Sequence, residues 1–411
     1  MKSAMQNSGK RWFIAVMATL VHLCLGTVYA WSFFQKTVSE TFGWSNSETA
    51  WAFSLAIFML GVTASWGGQN LQKFGPRKLA LIGAFLYAFG YIISYFALQN
   101  ESLWLLYFGY GIVGGIGLGL AYVTPVATVS KWFPDKQGLV TGMVVMGFGL
   151  GALLMSKLLA PIFLEYFEKD LAKTFLAIGI TLLVLLPFFA NFLNLPTEEK
   201  STEISAEKLS ATKEILSPNF IFIWLIFMFN VVAGMIFISF QSPLLQDLLK
   251  AENVNIGTAT LEKSGATLIA ISALFNGLGR FFWGSISDKL GRVTTFRLLL
   301  LIEMGVFASL IFIKSPILFS VGVCLILLNY GGGFGVLPSL IKDFFGTKLM
   351  PIVYGAALTA WGVGGILGPQ ITAYMKDHFS EDAGLYAYKV ALVLIALGIG
   401  LSFFVKNKKA Q

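Results

Sequence analysis

One arginine in this sequence sits where an apolar surrounding would make its charge costly. Arg280 follows sixteen uncharged residues, Ser264–Gly279, and seven more separate it from Asp288. At about 1.5 Å of rise per residue, it lies not far from the middle of any helix that carries this run across a bilayer. A cation placed there costs about 2.5–3.5 kcal/mol on insertion scales. No Asp or Glu lies within one helical turn, and Glu303 is the only acid well inside another apolar run. Two readings follow: an ion pair with an acid from another helix, or a ligand site. A guanidinium forks onto a carboxylate with two parallel hydrogen bonds, so the ligand reading points to a small organic anion. Asn276 is four residues earlier on the same helix face, placed to bond that ligand, to orient the guanidinium, or to pack as an amide. Tyr29, Tyr122 and Tyr330 bring polar handles to comparable depth, and Phe334 adds a ring one turn beyond Tyr330. Packing is the competing reading for each of these.

The remaining embedded polar groups carry weaker signals. Lys157 lies near the end of its run, where a long stem snorkels outward. Glu303 reads as a structural acid on a peripheral span rather than a proton carrier. His22 titrates near neutral pH when unperturbed, but a lone His on an apolar helix reads as a packing residue. His378 falls in a loop.

Positioning these groups is a matter of membrane spans. Of the 411 residues 56% are hydrophobic and 12% charged, where a soluble chain carries roughly 25% charged. That excludes an ordinary soluble enzyme, and no stretch is polar enough for a large soluble domain. A helix needs about 20 apolar residues to cross a bilayer. Uncharged stretches from Trp12–Gln35 to Val390–Val405 give twelve spans when three helices run through Lys157, Arg280 and Glu303. Trp12–Gln35 is long enough to span, and no small-residue cleavage site follows it, so a cleaved signal is a poor reading. Cys24 and Cys324 lie in apolar runs, which argues against a disulfide framework. The net charge of +8 is explained by where the basic residues fall. One side of the twelve spans collects sixteen Lys and Arg, with three more in a central loop, and the other side has eight. Positive residues stay inside, so both termini are expected in the cytoplasm and the protein in the cell (inner) membrane, with lipid as its surroundings and no nucleic-acid partner.

The chain repeats itself. Asn194–Ser217 is the only long polar connection in mid-chain and reads as a solvated linker between residues 1–193 and 218–411, each with six spans. Gly68-Gln-Asn-Leu-Gln72-Lys73-Phe-Gly75-Pro-Arg77 after span two is echoed by Gly284-Ser-Ile-Ser-Asp288-Lys289-Leu-Gly291-Arg292 after span eight. Phe148-Gly-Leu-Gly151 is echoed by Trp361-Gly-Val-Gly364 at nearly the same interval along the chain. Two similar six-helix units signal a transporter that holds substrate near the midplane between them. Glycine runs such as Gly115–Gly119, Gly147–Gly151 and Gly331–Gly335 lack the strand and lysine of a phosphate loop and read as close helix packing. No zinc, nucleophile or paired-carboxylate motif is visible, so neither catalysis nor a metal or other cofactor is expected.

The Gly284-x-x-x-Asp288-Lys289-x-Gly-Arg292 segment resembles the loop motif of the major facilitator superfamily. Its first copy is degenerate, with Gln72 where the acid belongs. Tyr29-Ala-Trp-Ser, Lys131-Trp-Phe-Pro-Asp-Lys-Gln-Gly-Leu-Val-Thr-Gly142, Phe148-Gly-Leu-Gly-Ala152 and Asn276-Gly-Leu-Gly-Arg280 resemble the oxalate/formate antiporter family, relatives of the proton-linked monocarboxylate transporters. The resemblance implies an all-α membrane protein of twelve helices in two six-helix repeats. It also implies carboxylate transport by alternating access, with Arg280 on the carboxylate and Gly284, Asp288, Lys289 and Arg292 at the cytoplasmic gate. Oxalate exchangers carry a helix-eleven lysine where this chain has Trp361, and animal proton-linked carriers carry an aspartate where it has Asn276. One cation matches a monoanion and leaves a dianion with an uncompensated charge. The expectation is therefore a monomeric carrier of lactate, pyruvate or a similar monocarboxylate, with Trp361 and the aromatics on its alkyl end and a proton as co-substrate. The alternatives are a carboxylate exchanger and a membrane sensor that binds the acid without carrying it.

Overall fold

The computed structural model describes residues 2–133, 136–196, 204–346, 348–379 and 382–405. Among the described residues, twelve helices are long and apolar enough to cross a membrane: α1 Gly9–Phe42, α2 Asn46–Phe74, α3 Pro76–Gln99, α4 Leu103–Trp132, α5 Leu139–Tyr166 and α6 Leu171–Ala190 in the first half. The second half holds α7 Pro218–Glu252, α8 Thr258–Leu290, α9 Arg292–Leu310, α10 Pro316–Phe345, α11 Ile352–Phe379 and α12 Ala383–Ser402. With this even number, the first and last described residues lie on one face, here called the terminal face, and the α1–α2 and α7–α8 turns lie on the far face. This is a multi-pass membrane protein of two six-helix repeats. Exposed apolar side chains such as Phe89, Phe188 and Val393 face outward, where lipid replaces water.

Local chemistry starts and stops these helices. Ser45 and Glu48 form a reciprocal capping box at the start of α2, and Ser217 caps α7 ahead of Pro218. Gly75 (φ 75°) turns α2 into α3, and Gly291 (φ 83°) turns α8 into α9 at the same place in the repeat. Only glycine adopts that conformation without strain.

Two expectations need correction. The charges that bound the apolar runs do not end the helices: α1 continues through Lys36, and α7 passes Asp247 and Lys250. A charge marks the edge of the apolar run, whereas the helix stops where its capping chemistry is. The central linker contains a helix, Ile204–Ile215, that buries Ala211 and packs against the start of α11. Residues 197–203 of that linker lie outside the described residues, as do Pro134 and Asp135 of the Lys131 motif.

The halves meet through small residues. A methyl built on Gly61 of α2 would lie 2.8 Å from Gly362 N of α11, and one on Gly149 of α5 would lie 2.9 Å from Gly277 N of α8. Gly61 and Gly277 are separated along the chain by the interval that separates Gly68 from Gly284. Gly149 and Gly362 are separated by the interval between Phe148 and Trp361. The two contacts are therefore the same contact, exchanged by the internal symmetry.

Candidate functional site

Arg280 is 1% exposed and makes one hydrogen bond, from Nε to Asn276 Oδ1 at 3.3 Å. Asn276 thus orients the guanidinium through the side facing its own helix. The two terminal amino groups of Arg280 have no partner. The guanidinium carbon lies 4.8 Å from the Phe334 ring centroid and 5.6 Å from that of Phe148, inside the reach of a cation–π attraction. No acid pairs with Arg280 among the described residues. At the repeat position of Arg280 the first half has Ala64, so the cation is one-sided.

Aromatic residues from five helices close around this cation. Tyr122 of α4 meets Phe148 of α5 edge-on at 5.2 Å, and Phe334 of α10 meets Trp361 of α11 edge-on at 4.7 Å. These two pairs are also repeat images of each other. Tyr122 and Phe148 each lie within 5.5 Å of Trp361, which closes the ring between the halves. Tyr29 of α1 hydrogen-bonds the hydroxyl of Tyr330 on α10, another contact from half to half. Each of these residues is at most 2% exposed. Trp361 faces this centre, with no part of it exposed on the lipid side.

Broken helices place two of these side chains. The α-helical winding of α1 tightens at Gly26–Ala30, where Tyr29 sits, and α11 turns at Leu358, just before Trp361. A methyl on Gly26 would fall 1.9 Å from the Phe148 carbonyl, so glycine is required for α1 to approach α5 here. Discontinuous helices near the midplane are how many carriers build a site.

The unpaired polar atoms of this centre are mainly donors. Besides the Arg280 amino groups, the Trp361 indole N–H and the Tyr122 and Tyr354 hydroxyls lack partners. Both hydroxyls are close enough to the guanidinium to feel its charge. Buried donors without acceptors are costly, and an anion among them would satisfy several at once. Tyr354 and Phe148 were absent from the residues read from the sequence as site candidates. Each had a signal: Phe148 is the repeat image of Trp361, and Tyr354 precedes Trp361 by two helical turns.

The loop motif lies at the terminal face. Arg292 hydrogen-bonds Asp288, Ser287 and the Gly284 carbonyl, and reaches Asp343 of α10 at 3.3 Å. It ties α8, α9 and α10 of one half together. In the degenerate first copy, Arg77 instead bonds Asn191 just beyond α6. A methyl on Gly335 of α10 would lie 2.1 Å from the Arg280 carbonyl, so Gly335 lets α10 approach α8. Gly284 has room for a methyl, and Lys289 is exposed. Lys157 does more than snorkel: its Nζ donates to Thr267 of α8 at 2.7 Å, across the halves. His22 packs as expected, with Nε2 2.8 Å from the Tyr122 carbonyl and its ring stacked on Tyr122. α9 lies toward the periphery, as read from the sequence, but the Glu303 side chain itself is fully buried, turned toward α7.

Comparison with known proteins fits this architecture. The chain is 28% identical to the oxalate:formate antiporter of Oxalobacter formigenes, over 97% of this chain and 92% of that one. It is 24% identical to apicoplast pyruvate carrier 1 of Toxoplasma gondii, over 94% and 86%. A shorter match, 29% identical over 39% of this chain and 31% of the other, is to monocarboxylate transporter 14 of Mus musculus. The crystal structure of a bacterial homolog of the human lysosomal transporter Spinster, inward-facing and unoccupied, superposes with a TM-score of 0.73 at 15% identity, over 96% and 97% of the two chains. Residues 12–369 match the sequence profile of the Major Facilitator Superfamily, and the chain therefore belongs to that family of membrane transporters, not to an enzyme family.

Proposed function

We propose that the chain carries a short monocarboxylate of the lactate or pyruvate kind across the cell membrane by alternating access, together with a proton. The observation that carries this reading is the single buried guanidinium whose two terminal amino groups point at no acid among the described residues. A monocarboxylate matches that charge and its fork. Trp361, Tyr122 and Tyr354 supply further donors, and Phe148, Phe334, Tyr29 and Tyr330 line the rest of the cage. The relatives whose names include oxalate, formate, pyruvate and monocarboxylate support the carboxylate class.

In this reading residues 1–193 and 218–411 rock against each other about the paired glycine contacts, as a monomer. Gly284, Asp288, Lys289 and Arg292 brace the cytoplasmic end of the second half. The terminal face is cytoplasmic, in keeping with its excess of Lys and Arg.

Purified protein in liposomes tests the reading. Labelled lactate should enter faster under an inward proton gradient, with no net charge movement. Uptake indifferent to that gradient and stimulated by internal carboxylate would establish exchange instead. The 28% identity to an antiporter across nearly the whole chain is the observation that favours this second reading.

A further inference from the structure

Glu303 of α9 is fully buried, and no cation pairs with it among the described residues. Its Oε1 accepts from Asn230 Nδ2 of α7 at 2.7 Å, and Asn230 Nδ2 is also 3.4 Å from the Asn329 carbonyl of α10. Glu303 Oε2, Asn230 Oδ1 and both side-chain polar atoms of Asn329 have no partner. An ionised carboxylate in such a place, held by one amide, is too costly to persist. The carboxyl is therefore neutral in this conformation.

Among the described residues, no titratable or charged group on the packed elements bonds Glu303. Arg297 of α9 bonds Ser402, Lys389 of α12 lies over the Tyr386 ring, and Arg280 of α8 bonds Asn276. Tyr330 of α10 bonds Tyr29, Tyr388 of α12 packs on Phe307, and Cys324 of α10 is a free thiol. Asp247 of α7 pairs with Lys376 at the far face.

The glycines of α10 connect this cluster to the arginine. A methyl on Gly333 would lie 1.9 Å from Asn230 Oδ1, and one on Gly331 would lie 2.1 Å from the Asn276 carbonyl. One bare stretch of α10 thus touches the partner of Glu303 on one side and the partner of Arg280 on the other. A shift of α10 is felt at both.

We propose that Glu303 is the proton-binding site of the transport cycle, a proposal that rests on the symport reading above. Charge counting makes the case. With the anion on Arg280 and the proton on Glu303, the core carries no net charge. When both leave, the guanidinium cation and the Glu303 carboxylate again sum to zero. Net charge is then the same in loaded and empty carriers, whereas Arg280 alone would leave the empty carrier a buried cation. The empty state's carboxylate requires a shift of α10 that brings it a donor or Arg280. Nothing at Asn276 can titrate, so the carboxyl on α9 takes that role.

Uptake and exchange of labelled lactate in liposomes, in wild type, E303Q and E303D, test this. E303Q fixes the neutral form. Its loaded carrier stays uncharged and exchanges, but its empty carrier holds a lone cation, so proton-driven net uptake falls at least about tenfold relative to exchange. E303D keeps a carboxyl on a shorter stem and keeps net uptake, with its pH midpoint displaced. If E303Q does not fold, the E303D midpoint decides alone. Proton-driven uptake by E303Q equal to wild type, equal loss of uptake and exchange in well-folded E303Q, or a wild-type midpoint in E303D each overturn the assignment. A sodium gradient replacing the proton gradient overturns it as well. Failure of the symport reading itself is seen separately, as wild-type uptake that ignores both gradients.

Discussion

Arg280 and Trp361 define the centre at the scale of single residues. R280A removes the cation, and R280K keeps a charge but loses the planar fork and its cation–π contacts. Breaking a buried charge pair costs about 2–5 kcal/mol, so lactate affinity should fall at least roughly thirtyfold in both variants, while expression is retained. Calorimetry on purified protein checks this. W361K places a second cation opposite the first, because position 361 faces the cage. Oxalate should then gain at least about tenfold over lactate, since an unpaired buried charge costs several kcal/mol and tenfold needs only about 1.4. Competition of labelled lactate by oxalate gives the ratio. Arg280 and Asn276 were legible in the sequence because a charge inside an apolar run has few explanations. Tyr29, Tyr122, Tyr330 and Phe334 were read at comparable depth with packing as the alternative, and their meeting with Trp361 was not derivable from depth alone. Tyr354 carried only the signal of preceding Trp361 by two turns, because an aromatic next to Gly355 otherwise looks like any packing residue.

At the scale of elements, α10 is the member that cannot be altered cheaply. A methyl on Gly331 collides with the carbonyl of Asn276, which is backbone and held in α8. Overpacking of this kind costs about 1–3 kcal/mol and displaces Arg280's orienting partner. G331A should therefore lower the melting temperature in detergent and reduce uptake more than its stability loss explains. A variant with wild-type melting and uptake would show that α10 has room to move aside. The sequence registered this run as a packing glycine repeat but not which neighbours it touched, since periodicity holds no information about partners. Helix ends were misread for a related reason. A count of apolar residues measures the hydrocarbon, whereas Ser45, Ser217 and the glycines at 75 and 291 set where winding starts and stops.

Across the whole molecule, the hydrogen bonds between halves gather at the far face. Asp377 of α11 accepts from the backbone N–H groups of Asn46 and Ser47 at the start of α2, at 2.9 and 2.8 Å, and from both side chains. Lys36 of α1 reaches Gln246 of α7 at 3.0 Å, and the Ser242 backbone N–H of α7 donates to Ser32 of α1. A carboxylate on a helix start is favourable, though exposure reduces it to about 1 kcal/mol. D377N should therefore move the equilibrium roughly fivefold toward opening at the far face. Accessibility of a cysteine introduced at Ser32 to a membrane-impermeant thiol reagent checks the shift, and unchanged labelling would remove the latch role. Twelve spans and two repeats were readable from composition and from the spacing of the echoed motifs. The latch was not, because its partners come from opposite halves and no local pattern links them. The closed centre also has a spectroscopic consequence. The Trp361 indole is fully enclosed by aromatic rings, and its N–H donates to nothing. An anion that accepts from that N–H changes the polarity around the excited indole, so the carrier holds its own optical probe. Titrating unlabelled carboxylates against intrinsic emission, with W361F as the blank, then ranks ligands by colour shift without a radiolabel or a vesicle.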